Sequence, residues 1–207
     1  MKLCSIPNSF ILAMCLLFCS YAVSQSDADE LAEKLRKLNT LTGQFEQTLV
    51  DAQGQILQES SGTFLLQRPG FFRWETLEPF PQLLVSNLQN IWLYDPDLEQ
   101  VTVRAYNNQL SQTPALLLSG NVEEINQHYT VKKNQQNIYE LVPKASQDLF
   151  SMLIVVFNNE QLASMVLKDS LEQQTTFRFL QTQYNRAIDP TEFEFVPPAG
   201  TDVITAE

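Results

Sequence analysis

Histidine is nearly absent from this 207-residue chain, which has one; cysteine and glycine number only three and six, and 13 basic residues face 24 acidic ones. A structural zinc centre takes several His or Cys ligands, which His128 alone cannot supply once Cys4, Cys15 and Cys19 leave with the expected secretory signal. The glycines, at 43, 54, 62, 70, 120 and 200, never cluster, so there is no phosphate loop and no dinucleotide fingerprint. A serine triad would have to use His128, and no G-x-S-x-G elbow exists. A net charge of −11 excludes a basic nucleic-acid surface. No apolar run reaches the roughly 20 residues of a spanning helix. What is present, 44% hydrophobic and 18% charged residues, suffices for the core of one globular domain.

Lys2, the apolar stretch Ile11 to Phe18 and the small-residue pattern Ala22-Val23-Ser24 read as a secretory signal over residues 1–24. Cleavage is expected after Ser24, with Ala22 as the alternative. All three cysteines lie inside that segment, so the mature chain, residues 25–207, holds no disulfide. Lipid attachment is disfavoured because Met14 precedes Cys15 and Phe18 precedes Cys19, where a lipobox requires a small residue. Loss of Lys2 leaves 12 basic against 24 acidic residues, a net charge of −12, which anionic membrane surfaces repel.

Ser26-Asp27-Ala28-Asp29 followed by Leu31, Leu35 and Leu38 predicts a capped amphipathic helix over 27–39. From Gly43 the period changes to two. Strands are expected from there to residue 50, then at 55–66, 71–77, 82–86, 91–95 and 99–105, in an antiparallel meander. Thr113-Pro114 and Ser119-Gly120 bracket a short helix containing Leu116, Leu117 and Leu118. Strand signals resume at 128–133, 137–142, 150–157, 161–168 and 174–184, and a last strand is expected at Glu192–Val196 before Pro197-Pro198. The fold class is mainly β: a single large curved antiparallel sheet of about eleven strands, with two or three helices covering its concave face.

Alternation places Phe45 and Leu49, Phe72 and Trp74, and Phe177 and Phe179 on that inner face, where they serve as core or line a cavity. Asp95-Pro96-Asp97-Leu98-Glu99 offers oxygen donors but lacks the later glycine and glutamate of an EF-hand, and reads as a hairpin turn. Carboxylate pairs such as Glu75 and Glu78 carry no spacing that marks glycoside hydrolysis. No enzyme, cofactor or metal is expected.

The run Gly62-Thr63-Phe64-Leu65-Leu66-Gln67-Arg68-Pro69-Gly70-Phe71-Phe72-Arg73-Trp74, with Leu84-Val85-Ser86, Ile91-Trp92-Leu93-Tyr94-Asp95, Pro143-Lys144-Ala145 and Phe193-Glu194-Phe195-Val196-Pro197-Pro198 in order after it, resembles the periplasmic outer-membrane lipoprotein carrier protein family, LolA. The resemblance covers essentially the whole mature chain. It implies an incomplete barrel with a helical lid, in the periplasm of a Gram-negative bacterium. Its role would be to take lipoproteins released by an inner-membrane ABC transporter and pass them, as a monomer, to an outer-membrane lipoprotein receptor.

On that resemblance Phe45, Leu49, Phe72, Trp74, Phe177 and Phe179 bind acyl chains, while Leu31, Leu35, Leu38, Leu116, Leu117 and Leu118 form the lid. Arg68 latches that lid, and Phe72 lies close to the rim. The chain departs from the family's common Asp-Gly turn at Ser86-Asn87-Leu88-Gln89-Asn90. Two other readings remain at this point: a periplasmic lipid-sensing regulator of the same fold, and a carrier of small hydrophobic ligands.

Overall fold

A computed structural model describes residues 26–106, 118, 122, 125–134, 137–145 and 150–206. The expected signal segment, with Leu116 and Leu117, lies outside the described residues. Helix α1 spans Asp27–Arg36: Ser26 caps it by accepting a hydrogen bond from the Asp29 amide (3.1 Å), and acidic residues in the first turn and basic ones in the last complement its dipole. It ends three residues earlier than its leucine spacing predicts. The chain at Thr40 already pairs with Gln67 as the first strand, although Leu38, outside the helix, remains buried.

Twelve strands follow: β1 Thr40–Val50, β2 Ile56–Gln67, β3 Phe71–Glu78, β4 Gln82–Asn87, β5 Asn90–Asp95, β6 Gln100–Ala105, β7 Tyr129–Lys133, β8 Ile138–Pro143, β9 Met152–Asn158, β10 Gln161–Lys168, β11 Gln174–Tyr184 and β12 Asp202–Ala206. They form one unclosed sheet in the order β12-β6-β5-β4-β3-β2-β1-β11-β10-β9-β8-β7. The first eleven are the predicted meanders, within two residues at most boundaries except the earlier start of β1. His128 is an exception: expected at the head of a strand, it closes the short helix α2, Ile125–His128. Ile125 is fully buried, and Asn126 Nδ2 donates to Asp29 Oδ1 (2.7 Å), so tertiary contacts curl these residues.

The expected strand at 192–196 is corrected. Residues Pro190–Phe193 form a 3₁₀ turn capped by Asp189, whose carboxylate accepts from the Thr191 amide (3.0 Å). The chain then crosses the outer face of the sheet, with Phe193 against Phe71 (5.5 Å between centroids) and Phe195 against Tyr94 (5.4 Å). Phe193, Leu83, Val85 and Val101 are buried there, apart from the main core. Burial of a phenylalanine of this kind contributes about 1.5–3 kcal/mol. The crossing delivers Asp202 opposite Gln100, so β12 runs parallel to β6, the one parallel pairing among the described strands.

Turns obey local chemistry. Asn87 Oδ1 accepts from the Gln89 and Asn90 amides (3.1 and 3.0 Å), and Leu88 takes the left-handed position (φ 70°) where the family's common turn has glycine. Asp95 Oδ1 accepts from the Leu98 amide (3.1 Å), and the Asp95 segment forms the β5–β6 turn. No group of three or more metal-ligating side chains occurs among the described residues.

Candidate functional site

Cross-strand register stacks the inner face in layers. In the floor, Leu41, Leu66, Phe72, Ser86 and Ile91 sit side by side across β1 to β5, and all are buried. The next layer runs Phe64, Trp74, Leu84, Leu93 across β2 to β5. Above it come Phe179, Phe45, Gly62, Thr76 and Gln82 across β11 and β1 to β4, and then Phe177 and Gln47, nearer the hairpin tips. Aromatic rings connect the layers. Phe45 stacks on Trp74 at 4.2 Å and Phe64 on Trp74 at 5.5 Å, while Phe177 and Phe179 meet the indole edge to face at 5.6 and 6.4 Å.

These layers enclose a cavity of about 180 Å³, whose apolar walls are Trp74, Leu84, Leu93, Met165, Phe177 and Phe179, with Leu118 reaching in. Of the six residues the sequence nominates for the site, Trp74, Phe177 and Phe179 line it. Phe45 backs the wall behind Trp74, and Leu49 lies on the same face beyond the lining, nearer the β1–β2 hairpin. Phe72, expected near the rim, is instead fully buried in the floor, in a row whose members Leu41, Leu66, Ser86 and Ile91 are all buried, and it shares one apolar cluster with Leu31, Leu35 and Leu38. Leu118 is buried in that cluster too.

Sequence reasoning missed Phe64, Leu84, Leu93 and Met165. The first three share a face with nominated or motif residues, so alternation along β2, β4 and β5 contains the signal. Met165 does not: the register shifts between Leu162 and Ser164, and a strict period of two from Leu162 would turn Met165 outward.

Helix α1 is fastened at both ends. Near its start Lys133 Nζ donates to Glu30 Oε1 (2.6 Å) and Tyr139 hydroxyl donates to the same oxygen (2.9 Å), while the Lys133 amide donates to Asp27 (2.9 Å). The Lys34 ammonium reaches Glu160 in the β9–β10 turn (2.8 Å). Beyond its end Asn185 Nδ2 donates to the Lys37 carbonyl (3.0 Å). Arg68, in the β2–β3 turn, donates from Nε to the carbonyls of Leu35 (3.0 Å) and Leu38 (3.2 Å). Burial, and to a lesser degree the nearby Arg36, lowers the Arg68 pKa to about 10, so it stays protonated at neutral pH.

The Lys133 hydrogen bond holds the Glu30 carboxyl below the usual carboxylate range, with Tyr139 assisting, and burial pushes the Tyr139 hydroxyl up. A carboxylate lowered in the folded state stabilises the fold above its unfolded pKa, ordinarily 4.5, and that contribution disappears as pH falls through the lowered value. Glu30→Gln is therefore expected to lower the melting temperature at pH 7 and to converge on the wild type once the pH falls below the lowered Glu30 pKa. A constant gap in thermal melts between pH 7 and pH 3 would refute the linkage.

Residues 36–196 match the family described as outer membrane lipoprotein carrier protein LolA. An outer-membrane lipoprotein carrier protein of Hahella chejuensis is 43% identical over 190 residues, spanning 89% of this chain and 91% of its own. The protein of the same name from Azotobacter vinelandii is 42% identical over 193 residues, spanning 89% and 93%. Among solved structures, an uncharacterized conserved protein from Thermus thermophilus shares the fold at a TM-score of 0.56 and 11% identity, over 87% of this chain and all of its own. A putative outer membrane lipoprotein-sorting protein domain from Vibrio parahaemolyticus does so at 0.50 and 12%, over 80% and 95%.

Proposed function

The chain belongs to the outer membrane lipoprotein carrier protein family LolA, and on that premise we propose that it carries lipoproteins through the periplasm with their acyl chains held in the cavity beside Trp74. The observation that carries this reading is an aromatic-walled apolar cavity under an extended cluster of leucines. Each methylene removed from water gains about 0.8 kcal/mol, so ten contribute roughly 8 kcal/mol, and uncovered cargo would not cross an aqueous space. No covalent step is required. Cargo would come from an inner-membrane ABC transporter and go to an outer-membrane receptor, with residues 1–24 as the cleaved leader and 25–207 as the carrier domain.

The cavity of about 180 Å³ is smaller than the roughly 300–1,000 Å³ of sites that hold a drug-sized ligand. Acyl chains must therefore enlarge it by displacing its present occupants, Leu118 first, followed by the contacts of Leu31, Leu35 and Leu38. Those self-contacts keep the empty protein covered and make binding weaker than an open cavity would give, which is what allows release. Arg68 holds the closed arrangement through the carbonyls of Leu35 in α1 and Leu38 just beyond it.

The test incubates the purified mature protein with spheroplasts and looks for an outer-membrane-destined lipoprotein in the soluble fraction as a one-to-one complex, with buffer alone as control. Release that requires both the protein and acylation of the cargo is expected. Absence of release from a folded sample would overturn the carrier role in favour of a lipid sensor.

A further inference from the structure

We propose that the site reads the linkage of an acyl chain as well as its hydrocarbon: Gln47, Thr76 and Gln82 form a neutral donor collar above the apolar cavity that binds ester and amide carbonyls and discriminates against free fatty acids. The inference rests on the acyl-carrier reading and assigns the polar side of that same site.

Among the described residues, the polar members of the lining are these three and the Trp74 indole, and no described Asp, Glu, Lys or Arg lines it. They occupy one side of it. Thr76 lies directly opposite Gln82 across β3 and β4, the side-chain-free Gly62 separates Thr76 from Phe45, and Gln47 is one step closer to the hairpin tips. Trp74, Leu84 and Leu93 form the layer beneath. A chain entering from the tips thus meets amide and hydroxyl groups first and hydrocarbon below, the arrangement in which a few polar groups orient a largely apolar ligand.

None of the three polar side chains hydrogen-bonds to another described residue, so their donors are unspent. Two primary amides and a hydroxyl offer five N–H or O–H hydrogens, and an ester or amide carbonyl is an acceptor. Gln47 and Thr76 are half-buried and Gln82 is exposed, so water satisfies the collar when it is empty and a carbonyl takes that place when it is filled.

A carboxylate fares differently. Its charge would be partly desolvated beside the aromatic wall with no cation in the lining to offset it. The nearby Arg178, between Phe177 and Phe179 in β11, faces the opposite side of the sheet and pairs with Glu46 (3.6 Å). The groove that adjoins Gln47 is lined by Glu46, Glu59 and Glu78 with Arg178; the Arg178–Glu46 pair offsets itself, and Glu59 and Glu78 leave the groove net negative, which adds repulsion.

The mature protein, loaded with the fluorescent apolar probe N-phenyl-1-naphthylamine at pH 7.5, is titrated with glycerol monododecanoate or with sodium dodecanoate. The ester is expected to displace the probe at a concentration about tenfold below that of the acid. In the Gln47→Leu, Thr76→Val, Gln82→Leu triple variant the ester should lose about tenfold while the probe binds within about twofold of wild type. Gln82→Arg, a single change at an exposed position, should strengthen dodecanoate and narrow the gap even if the triple variant does not fold. Equal displacement by ester and acid, or an ester preference untouched in the folded variants, overturns the collar while leaving the carrier reading intact. A wild type that binds no probe overturns both.

Discussion

Gly62→Ala should destabilise the protein by more than about 4 kcal/mol, a loss seen only when a single substitution breaks something specific. A Cβ at this position would lie 1.9 Å from the Glu75 carbonyl oxygen and 2.8 Å from Phe45 Cε1. The first obstacle is the backbone of the adjacent strand β3, which cannot rotate away as a side chain can. The β2–β3 register already shifts between Ser61 and Gly62, so the strands approach closely there, and relief requires parting the ladder. Pushing the Phe45 ring would drive it onto Trp74, 4.2 Å away, and disturb the cavity wall. Against a total stability of about 5–15 kcal/mol the loss is a large fraction. Urea midpoints measure it, with Gly54→Ala as the comparison. Gly54 has φ 83° and nothing within 4 Å of its missing Cβ, so only the left-handed strain of about 1–2 kcal/mol applies. Similar midpoints for the two variants would show that β2 and β3 yield more easily than the geometry allows.

Arg68→Leu should leave folding nearly intact while crippling delivery. The substitution removes one charge-assisted N–H that is shared between the Leu35 and Leu38 carbonyls, a loss of about 1.5–3 kcal/mol in all, but also removes the desolvation cost of a largely buried guanidinium. These opposing terms keep the stability change below about 2 kcal/mol. The functional consequence follows from where the bonds act. On the carrier reading proposed above they would stabilise the empty, closed arrangement, cargo would have to overcome them on entry, and their absence would make the loaded state relatively more favourable. A shift of about 1.4 kcal/mol in that balance is tenfold in retention. The expected variant therefore loads with lipoprotein and passes it to the receptor at least about tenfold less than wild type, with Arg68→Lys intermediate because an ammonium lacks the planar fork. Normal transfer by a stably folded Arg68→Leu would remove the latch assignment. A collapse of the melting temperature would make Arg68 structural.

The two substitutions differ in what foretells them. Gly62 and Arg68 both stand in the run that resembles the LolA family, yet neither the clash at Gly62 nor the Arg68 contacts with Leu35 and Leu38 are visible in the run itself. Glycine at 62 is required because Phe45 and Glu75, 17 residues before and 13 after, close on it from two sides. Arg68 reads locally as a solvated residue before proline, and acquires its partners only when α1, some 30 residues earlier, is laid across the turn. Strand β11 shows the limit of periodicity in another way. Gln181, with φ 51°, bulges out of the register between Leu180 and Gln183, and Tyr184 comes opposite the buried Leu41 although counting by twos from Phe179 would turn it outward.

What the sequence determined alone are the properties that depend on neighbours along the chain. The capped start of α1, eleven of the twelve strands, the turns at Asn87 and Asp95, and the scarcity of histidine, cysteine and clustered glycine follow from side-chain alternation, local hydrogen bonds and composition. Tertiary structure decided the rest. It placed Phe72 in the floor, brought Met165 to the cavity, curled His128 into α2, and turned Glu192–Val196 into a strap across the outer face before a parallel β12. Each of these outcomes depends on register between strands or on a surface offered by a distant element. A period of two tells which residues share a face, but one inserted residue reverses it, and only the paired ladder fixes which face meets the cavity.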